Sequence, residues 1–366
     1  MKRKQILACI LALVLVLSLA ACGGSSSSQQ SAAPAAPAAN SAPAAAPADA
    51  GGIPADGEVY TLIFADDVAE DSVRGIIMKH FEEVVEEKSN GKIQIERYHA
   101  TLGNVSELGQ AVRDGSVDIM SLCLGSQFDD RFASLDIPRV FADMDKSTEV
   151  MREGEFRDAI DKLCEEVGVK LVFQVPVNYR LLTTNREIKS FDDLKGMNIR
   201  TPTNPVFTAF WEACGTNPTP LPLDEVYMAL SQGLVEAQEN PYDLILQNKF
   251  NEVQKYLVHT NHITFNTSFI INLNSWNNLP EAYQKVFLDS MKETEDYAIG
   301  ARDQINADYG ATLEAAGTTT QLYPDEALQE ALDNAAKSTL PIIRQLAGDE
   351  IVDVTLKAMG FESWIE

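Results

Sequence analysis

One arginine and two Asn-Pro pairs have the residue types and spacing that bind an organic anion. Arg200 follows a strand-like run at 197–199 and precedes Asn204-Pro205, a pair that suits the N-cap and first position of a helix. Asn240-Pro241 repeats this arrangement after residues 235–238. Helix N-termini attract anions, and the arginine fork binds a carboxylate through two hydrogen bonds. These residues therefore predict a site for a carboxylate.

Cysteines and histidines are the other side chains that could carry chemistry. Cys123, Cys164 and Cys214 are widely spaced, which favours buried small side chains over disulfides or a metal site. His259 and His262 lie in a strand and its turn without a Cys or Glu partner nearby, so a structural role is favoured. The sequence has no G-x-S-x-G, H-E-x-x-H or glycine-rich phosphate motif. We therefore expect no metal and no cofactor.

Three separated blocks of the sequence resemble a known family. They read KGMNIRTP at 195–202, PLPLDEVYMALSQGLVEAQENP at 220–241 and VQKYLVHTNH at 253–262. In order and spacing they resemble the solute-binding proteins of tripartite ATP-independent periplasmic (TRAP) transporters, the DctP family, over about residues 60–346. The resemblance implies a receptor without enzymatic activity. Its ligand would be a small organic acid, such as a uronate, sugar acid, dicarboxylate or keto acid, which it delivers to the TRAP permease subunits.

The same resemblance implies roles for individual residues. The arginine at the position of Arg200 pairs with the ligand carboxylate in the family, although Asn198 here replaces a lysine of the usual run. Arg180 matches a second pocket arginine. Asp67 stands where the family has Asn or His, which indicates a hydroxyl-bearing or cationic part of the ligand. The predicted substrate-binding residues are Arg200, Arg180, Asn240, Asp67, Cys123, Thr203 and Leu223.

Two alternatives to a TRAP receptor stay open at this point. An extracytoplasmic hydrolase would act on acidic sugars through paired carboxylates, which are plentiful in so acidic a chain. Turnover of a bound uronic-acid derivative would distinguish it from a receptor. A receptor for an ATP-driven importer would differ only in its membrane partner.

The elements that must position these residues alternate between strands and helices. Predicted strands at 60–64, 93–98 and 118–124, separated by helices, indicate mixed or parallel sheets flanked by helices. Ligands bind at the C-terminal ends of such strands, where Asp67, Cys123 and Ser126 fall. A single helix is predicted from 147 to about 166. A long extended run at 169–184 predicts a crossing between two domains, with Arg180 at the junction.

The fold class predicted from these elements is a two-domain α/β fold of the periplasmic-binding-protein type. Its ligand cleft lies between the domains, and a helix from Pro280 to about Ala316, roughly 55 Å long, spans both. We assign 58–177 plus 266–305 to the first domain. The second domain takes 178–265 plus 306–366.

Composition and the N-terminus indicate where the protein works. A formal charge of −25 argues against nucleic acid and anionic membrane surfaces as partners. Residues 1–22 resemble a lipoprotein signal peptide that ends at Cys22, the predicted lipidation site. Residues 23–57 are a Gly, Ser, Ala and Pro tether. The sequence thus predicts an extracytoplasmic monomer that contacts the bacterial cell membrane through its lipid anchor only.

Overall fold

The computed structural model describes residues 52–321 and 326–365. The signal peptide, Cys22 and most of the tether lie outside these residues. Within the described ranges, no helix combines the length and apolar character needed to cross a bilayer.

Eleven strands form two sheets in the described part of the chain. In chain order they are β1 Tyr60–Asp66, β2 Ile93–His99, β3 Ile119–Leu122, β4 Val169–Tyr179, β5 Leu181–Thr184, β6 Asn198–Thr201, β7 Asn217–Pro220, β8 Ala237–Asn240, β9 Tyr256–Val258, β10 Thr264–Asn272 and β11 Thr319–Gln321. The first sheet has the order β2-β1-β3-β10-β4 and the second β11-β9-β5-β8-β6-β7. Both sheets are mixed, because β10 runs antiparallel to β3 and β4, and β5 runs antiparallel to β8 and β9.

Twelve α-helices cover the sheets in the described residues. They are α1 Val73–Lys88, α2 Val105–Asp114, α3 Met144–Arg152, α4 Glu155–Glu166, α5 Pro205–Ala213, α6 Val226–Ser231, α7 Tyr242–Gln247, α8 Leu273–Asn278, α9 Glu281–Ala315, α10 Glu326–Lys337, α11 Leu340–Ala347 and α12 Asp349–Met359. Short 3₁₀ turns occur at Asp130–Asp136, Phe191–Leu194, Leu223–Glu225, Phe250–Glu252 and Glu362–Trp364. The predicted fold class of mixed sheets flanked by helices is confirmed.

Alternation along the strands builds the core of the first sheet. Leu62 and Phe64 of β1 point to the face covered by α1 and α9, whereas Ala65 points to the opposite face. The ring of Phe64 meets Phe81 of α1 and Phe269 of β10 edge to face, with centroids 6.1 and 4.7 Å away. Aromatic pairs of this geometry add to the free energy gained by burial. They fix the strands whose ends reach the site.

The long helix and the crossing are both present. Helix α9 has 35 residues, about 52 Å at 1.5 Å per residue. It packs against α1 and β4 of the first sheet and against α7, which follows β8 of the second. Strand β4 belongs to the first sheet and β5 to the second, so Arg180 is the single residue between them.

Two segments differ from the expectation. The predicted helix over 147–166 is two helices, α3 and α4, because Gly154 between them has a φ of 95°, which a helix cannot contain. Helices α11 and α12, which we expected beside the second sheet, pack against α4 and the Asp130–Asp136 turn of the first. Their apolar side chains, including Ile343 and Leu356, belong to the hydrophobic cluster on that face of the first sheet.

Candidate functional site

The site lies where one edge of each sheet meets the other. Strands β1, β3 and β4 end at the edge of the first sheet where β10 begins. Strands β6 and β8 end at the edge of the second sheet where β5 begins. Arg180 joins these two edges. The C-terminal ends of these strands therefore lie at the edges between which the chain crosses from one sheet to the other.

Arg180 is buried, 5 % exposed, and is held by the end of β8. Its Nε donates to Glu239 Oε2 at 2.5 Å, and its Nη2 donates to Glu239 Oε1 and Asn240 Oδ1, both at 2.9 Å. Its guanidinium carbon lies 5.3 Å from the Phe207 ring centroid and 5.7 Å from that of Phe265. One aromatic ring comes from α5 and the other from β10, so Arg180 ties both sheets to one point.

Glu239 is the counter-ion of Arg180. Burial by itself would raise the pKa of Glu239, but Arg180 and a hydrogen bond from His262 lower that pKa to about 2. His262 Nε2 lies 2.9 Å from Glu239 Oε2, and its Nδ1 lies 2.8 Å from Thr260 Oγ1. Burial lowers the pKa of His262. The neutral ring therefore donates to Glu239 and accepts from Thr260, which keeps the carboxylate oriented toward Arg180.

Arg200 is buried more deeply, at 2 % exposed, and has no such counter-ion. Its Nε and Nη2 donate to the carbonyl oxygen of Leu221, at 2.9 and 2.5 Å, and Nη1 makes no hydrogen bond to the described residues. None of the ion pairs within the described ranges includes Arg200. Burial lowers the pKa of Arg200 to about 9, which leaves the guanidinium charged at neutral pH. Burying a charge without an ion-pair partner is costly.

The other predicted site residues fall into two groups. Asn240 lies at the centre, where its Nδ2 also donates to Gln238 Oε1 at 2.6 Å. Asp67 and Cys123 lie beyond the ends of β1 and β3; Asp67 is ion-paired with Arg74 at 2.7 Å. Burial, followed by the nearby charge of Asp136, raises the Cys123 pKa to about 12, so this thiol is not a nucleophile at neutral pH.

Thr203 and Leu223 are less central. Thr203 is exposed just before α5. Leu223 is half-buried against the apolar cluster around Leu181 and Val226 in the second-sheet half. Among the described residues, neither Thr203 nor Leu223 forms a hydrogen bond with Arg180 or Arg200.

A clasp between the sheets centres on Asp136, a residue that sequence reasoning missed. Asp136 Oδ2 accepts from Ser126 N at 2.8 Å and from Asn204 Nδ2 at 2.9 Å. Asn204 meanwhile caps α5, since its Oδ1 accepts from the N–H groups of Val206 and Phe207. A side chain at Gly125 would meet Asp136 Oδ1 at 2.3 Å, which explains why glycine is required there. No sequence pattern marks Asp136, because its partners are brought together only by the fold.

Sequence reasoning also missed Arg74 and Glu239, although the position of each in the sequence indicates a buried ion pair. Arg74 stands in the first turn of α1, where a cation opposes the helix dipole and therefore needs a compensating partner. Glu239 directly precedes Asn240 at the end of a buried strand. A buried acid beside a pocket residue indicates a buried cation nearby.

His259 and His262, two of the four histidines of the sequence, each contact neighbouring side chains. Besides bonding Glu239, the His262 ring stacks on Phe210 with centroids 5.5 Å apart. His259 Nε2 lies 3.2 Å from the hydroxyl of Tyr242. Within residues 52–321 and 326–365, no cluster of three or more His, Cys, Asp or Glu side chains is arranged to hold a metal.

Two cavities open elsewhere on the molecule. One of about 740 Å³ lies between α3, α4 and α9 and is lined by mixed charges that include Arg152, Lys292 and Glu295. The other, about 180 Å³, lies near the crossing and is lined by Tyr179 and Asn306 among others. Neither includes Arg180 or Arg200, which are closed in between the two sheets.

The chain is similar in sequence and structure to known solute-binding proteins. Residues 64–342 match the family model DctP, described as bacterial extracellular solute-binding protein, family 7. The C4-dicarboxylate-binding periplasmic protein DctP of Rhodobacter capsulatus is 29% identical over 73% of this chain and 81% of its own length. The 2,3-diketo-L-gulonate-binding periplasmic protein YiaO of Escherichia coli is 28% identical over 65% of this chain and 73% of its own. A TRAP periplasmic solute binding protein from Haemophilus influenzae, solved with bound L-gulonate, superimposes with a TM-score of 0.75 at 26% identity, covering 82% of this chain and 99% of that one.

Proposed function

The chain belongs to bacterial extracellular solute-binding protein family 7, the DctP family, and from this premise we propose that it is the receptor of a TRAP transporter for a small organic acid. The predicted family is confirmed, and it favours a receptor over a hydrolase. The observation that carries the ligand class is Arg200, a buried guanidinium without an ion-pair partner among the described residues. Related receptors bind sugar acids and dicarboxylates, and the ligand here is an acid of one of these kinds.

The binding mechanism follows from the closed position of the arginines. The ligand enters between the separated sheets, and its carboxylate pairs with Arg200. Arg180, held by Glu239, and Asn240, held by Arg180 and Gln238, supply further donors beside it. Closure then excludes water, which strengthens the ion pair because the local dielectric constant falls.

The two halves move as the domains assigned above, with α11 and α12 carried by the first. The division into two domains is supported by the presence of two separate sheets and by the chain crossing at Arg180. Asp67 and Cys123 approach the ligand from the first domain, and Thr203 and Leu223 flank it from the second. The protein functions as a monomer that hands its ligand to the membrane permease.

Binding without turnover tests this function. Calorimetry of the purified protein with L-gulonate, D-glucuronate, succinate and pyruvate should show saturable binding of at least one acid. The bound acid, released by denaturation and examined by NMR, should be unchanged, and 4-nitrophenyl β-D-glucuronide should release no nitrophenol. The receptor assignment would be rejected if none of the four acids binds, if a bound acid is chemically changed, or if nitrophenol is released.

The protein is held at the membrane by lipid on Cys22. The support is the sequence alone: Leu19-Ala20-Ala21 precedes a cysteine at the end of an apolar stretch, and a polar tether follows. We expect Cys22→Ala to move the protein from the membrane fraction to the soluble fraction, whereas Ser27→Ala, in the same tether, should leave it in place. Membrane retention of the Cys22→Ala protein in cells would contradict the anchor.

A further inference from the structure

A second buried ion pair lies beside the arginine site. Arg74, 4 % exposed, donates from Nη2 to Asp67 Oδ1 at 2.7 Å and from Nη1 to the carbonyl oxygen of Ser121 at 3.2 Å. Asp67 is the more open partner, with 21% of its side chain exposed. The structure therefore modifies the sequence expectation for Asp67. Its carboxylate is already neutralised by Arg74, so it does not await a cationic part of the ligand.

The position of this pair relative to Arg180 is set by one aromatic ring. The guanidinium carbons of Arg74 and Arg180 each lie 5.7 Å from the centroid of Phe265, at the start of β10. Both arginines also lie close enough to Cys123 for their charges to oppose the rise in its pKa. The Asp67–Arg74 pair thus forms the first-sheet wall of the site, and Arg200 belongs to the second-sheet wall.

Two of the three arginines around this site are ion-paired and the third is not. Arg180 pairs with Glu239, and Arg74 pairs with Asp67. Arg200 has no ion-pair partner within the described residues. A ligand carboxylate therefore has one unpaired arginine to bind. A second carboxylate, at the far end of the ligand, would meet the Asp67 carboxylate or would have to displace it from Arg74.

We propose that the Asp67–Arg74 pair makes this receptor select monocarboxylates with hydroxyl groups at the far end over dicarboxylates of the same carbon skeleton. Asp67 Oδ2, which Arg74 does not use, accepts a hydrogen bond from such a hydroxyl, and like charges across a closed site disfavour the diacid. The inference rests on the proposed function, because it takes Arg200 as the anchor of the first carboxylate.

Matched acid pairs test this selectivity. L-gulonate and D-glucarate share all four stereocentres and differ only in that a terminal hydroxymethyl group is a carboxylate in the second. D-galactonate with galactarate, and D-erythronate with meso-tartrate, have the same relation. For any pair that binds, we expect the wild-type protein to bind the monoacid at least tenfold more tightly. Asp67→Asn, which leaves Arg74 without its counter-ion, should shift that ratio at least tenfold toward the diacid.

Two further variants control for charge and folding. Asp289→Asn removes the same unit of charge from the surface of α9, where Asp289 pairs with Lys285, and should leave the ratio unchanged. The double variant Asp67→Asn with Arg74→Gln has a neutral wall again and should recover the preference for the monoacid. Thermal melting shows whether each variant is folded. If Asp67→Asn does not fold, Arg74→Gln takes its place: it leaves the Asp67 carboxylate unpaired and should increase the preference for the monoacid, and an unchanged or smaller preference contradicts the inference.

The outcomes separate this inference from the proposed function. Binding of none of the six acids, or equal binding by wild type and Arg200→Ala, would contradict the proposed function itself. Binding that depends on Arg200, but with the diacid bound as tightly as the monoacid by wild type, would overturn only the inference. An unchanged ratio in folded Asp67→Asn would do the same.

Discussion

Arg180 and Arg200 are both buried at the meeting edges of the sheets, but their surroundings differ. The first is locked by a carboxylate and an amide, whereas the second bonds only a backbone carbonyl. We therefore propose that Arg180, whose charge is neutralised, shapes the site, and that Arg200, which has no ion-pair partner among the described residues, holds the ligand anion.

We expect Arg200→Ala to weaken binding of the strongest ligand by roughly 30-fold to several thousand-fold, because truncating one partner of a buried charge pair costs about 2–5 kcal/mol. Arg200→Lys should recover part of the loss, since it keeps the charge but lacks the planar fork. Calorimetry measures both. Arg186→Ala is the control, because Arg186 is a half-exposed arginine of the same domain paired with Glu236. A folded Arg200→Ala protein that binds within about threefold of wild type would make Arg200 structural.

The pH dependence of stability should report on Glu239. Its folded-state pKa is about 2, below the ordinary value of 4.5, so its contribution is present above pH 4.5 and is lost as the pH falls toward 2. Glu239→Gln should therefore be less stable than wild type at pH 7, and the difference should narrow below pH 4.5. Urea unfolding at pH 7 and pH 3.5 measures this. Exposed Glu236→Gln is the control, and a difference that grows on acidification would contradict the assignment.

At the scale of elements, the start of α5 combines two functions. Asn204 caps the helix and also donates to Asp136 across the site. Asn204→Ser should keep the cap and lose the donor. Asn204→Asp should also keep the cap but place a second carboxylate beside Asp136, which opposes closure.

We therefore expect ligand affinity to fall in the order wild type, Asn204→Ser, Asn204→Asp, with unfolding free energy lowered by about 1–3 kcal/mol in the aspartate variant. The affinity loss of Asn204→Asp should lessen at lower pH, since burial already raises the Asp136 pKa. Asn104→Asp provides the comparison, because Asn104 is an exposed cap of α2 with the same pair of bonds. Equal affinities for the serine and aspartate variants would show that the clasp does not affect closure.

Local signals predicted these elements well, and they failed where the fold brings distant residues together. The Asn204-Pro205 helix start, the long helix α9 and the crossing at Arg180 could be read from caps, periodicity and strand length. The break at Gly154 could not, because a lone glycine within a helical pattern often stays helical. The Arg180–Glu239 pair and the Asn204–Asp136 bond join residues 59 and 68 positions apart, so no local signal predicts them. The site residues themselves remain predictions that binding measurements must test.

At the scale of the whole molecule, the burial of both arginines predicts motion. The chain passes between the two halves at Arg180, between β9 and β10, between α9 and β11, and between α10 and α11. We expect ligand to shift the protein from an open to a closed form, which small-angle scattering would detect as a smaller radius of gyration. Arg200→Ala at the same ligand concentration should show no compaction. An identical profile for wild type with and without saturating ligand would contradict closure.

Strand β10 has a consequence for the time at which this protein can fold. It lies between β3 and β4 in the first sheet, and the Leu124–Asn266 hydrogen bond at its start joins residues 142 positions apart. At a synthesis rate of about 5–20 residues per second, the ribosome needs roughly 10–30 s to supply this strand after β3 has emerged. Until then β3 and β4 have no common neighbour, and the N-terminal sheet cannot close. A nascent chain that cannot complete its first sheet early therefore stays unfolded longer, a property that favours translocation of the chain in an unfolded state.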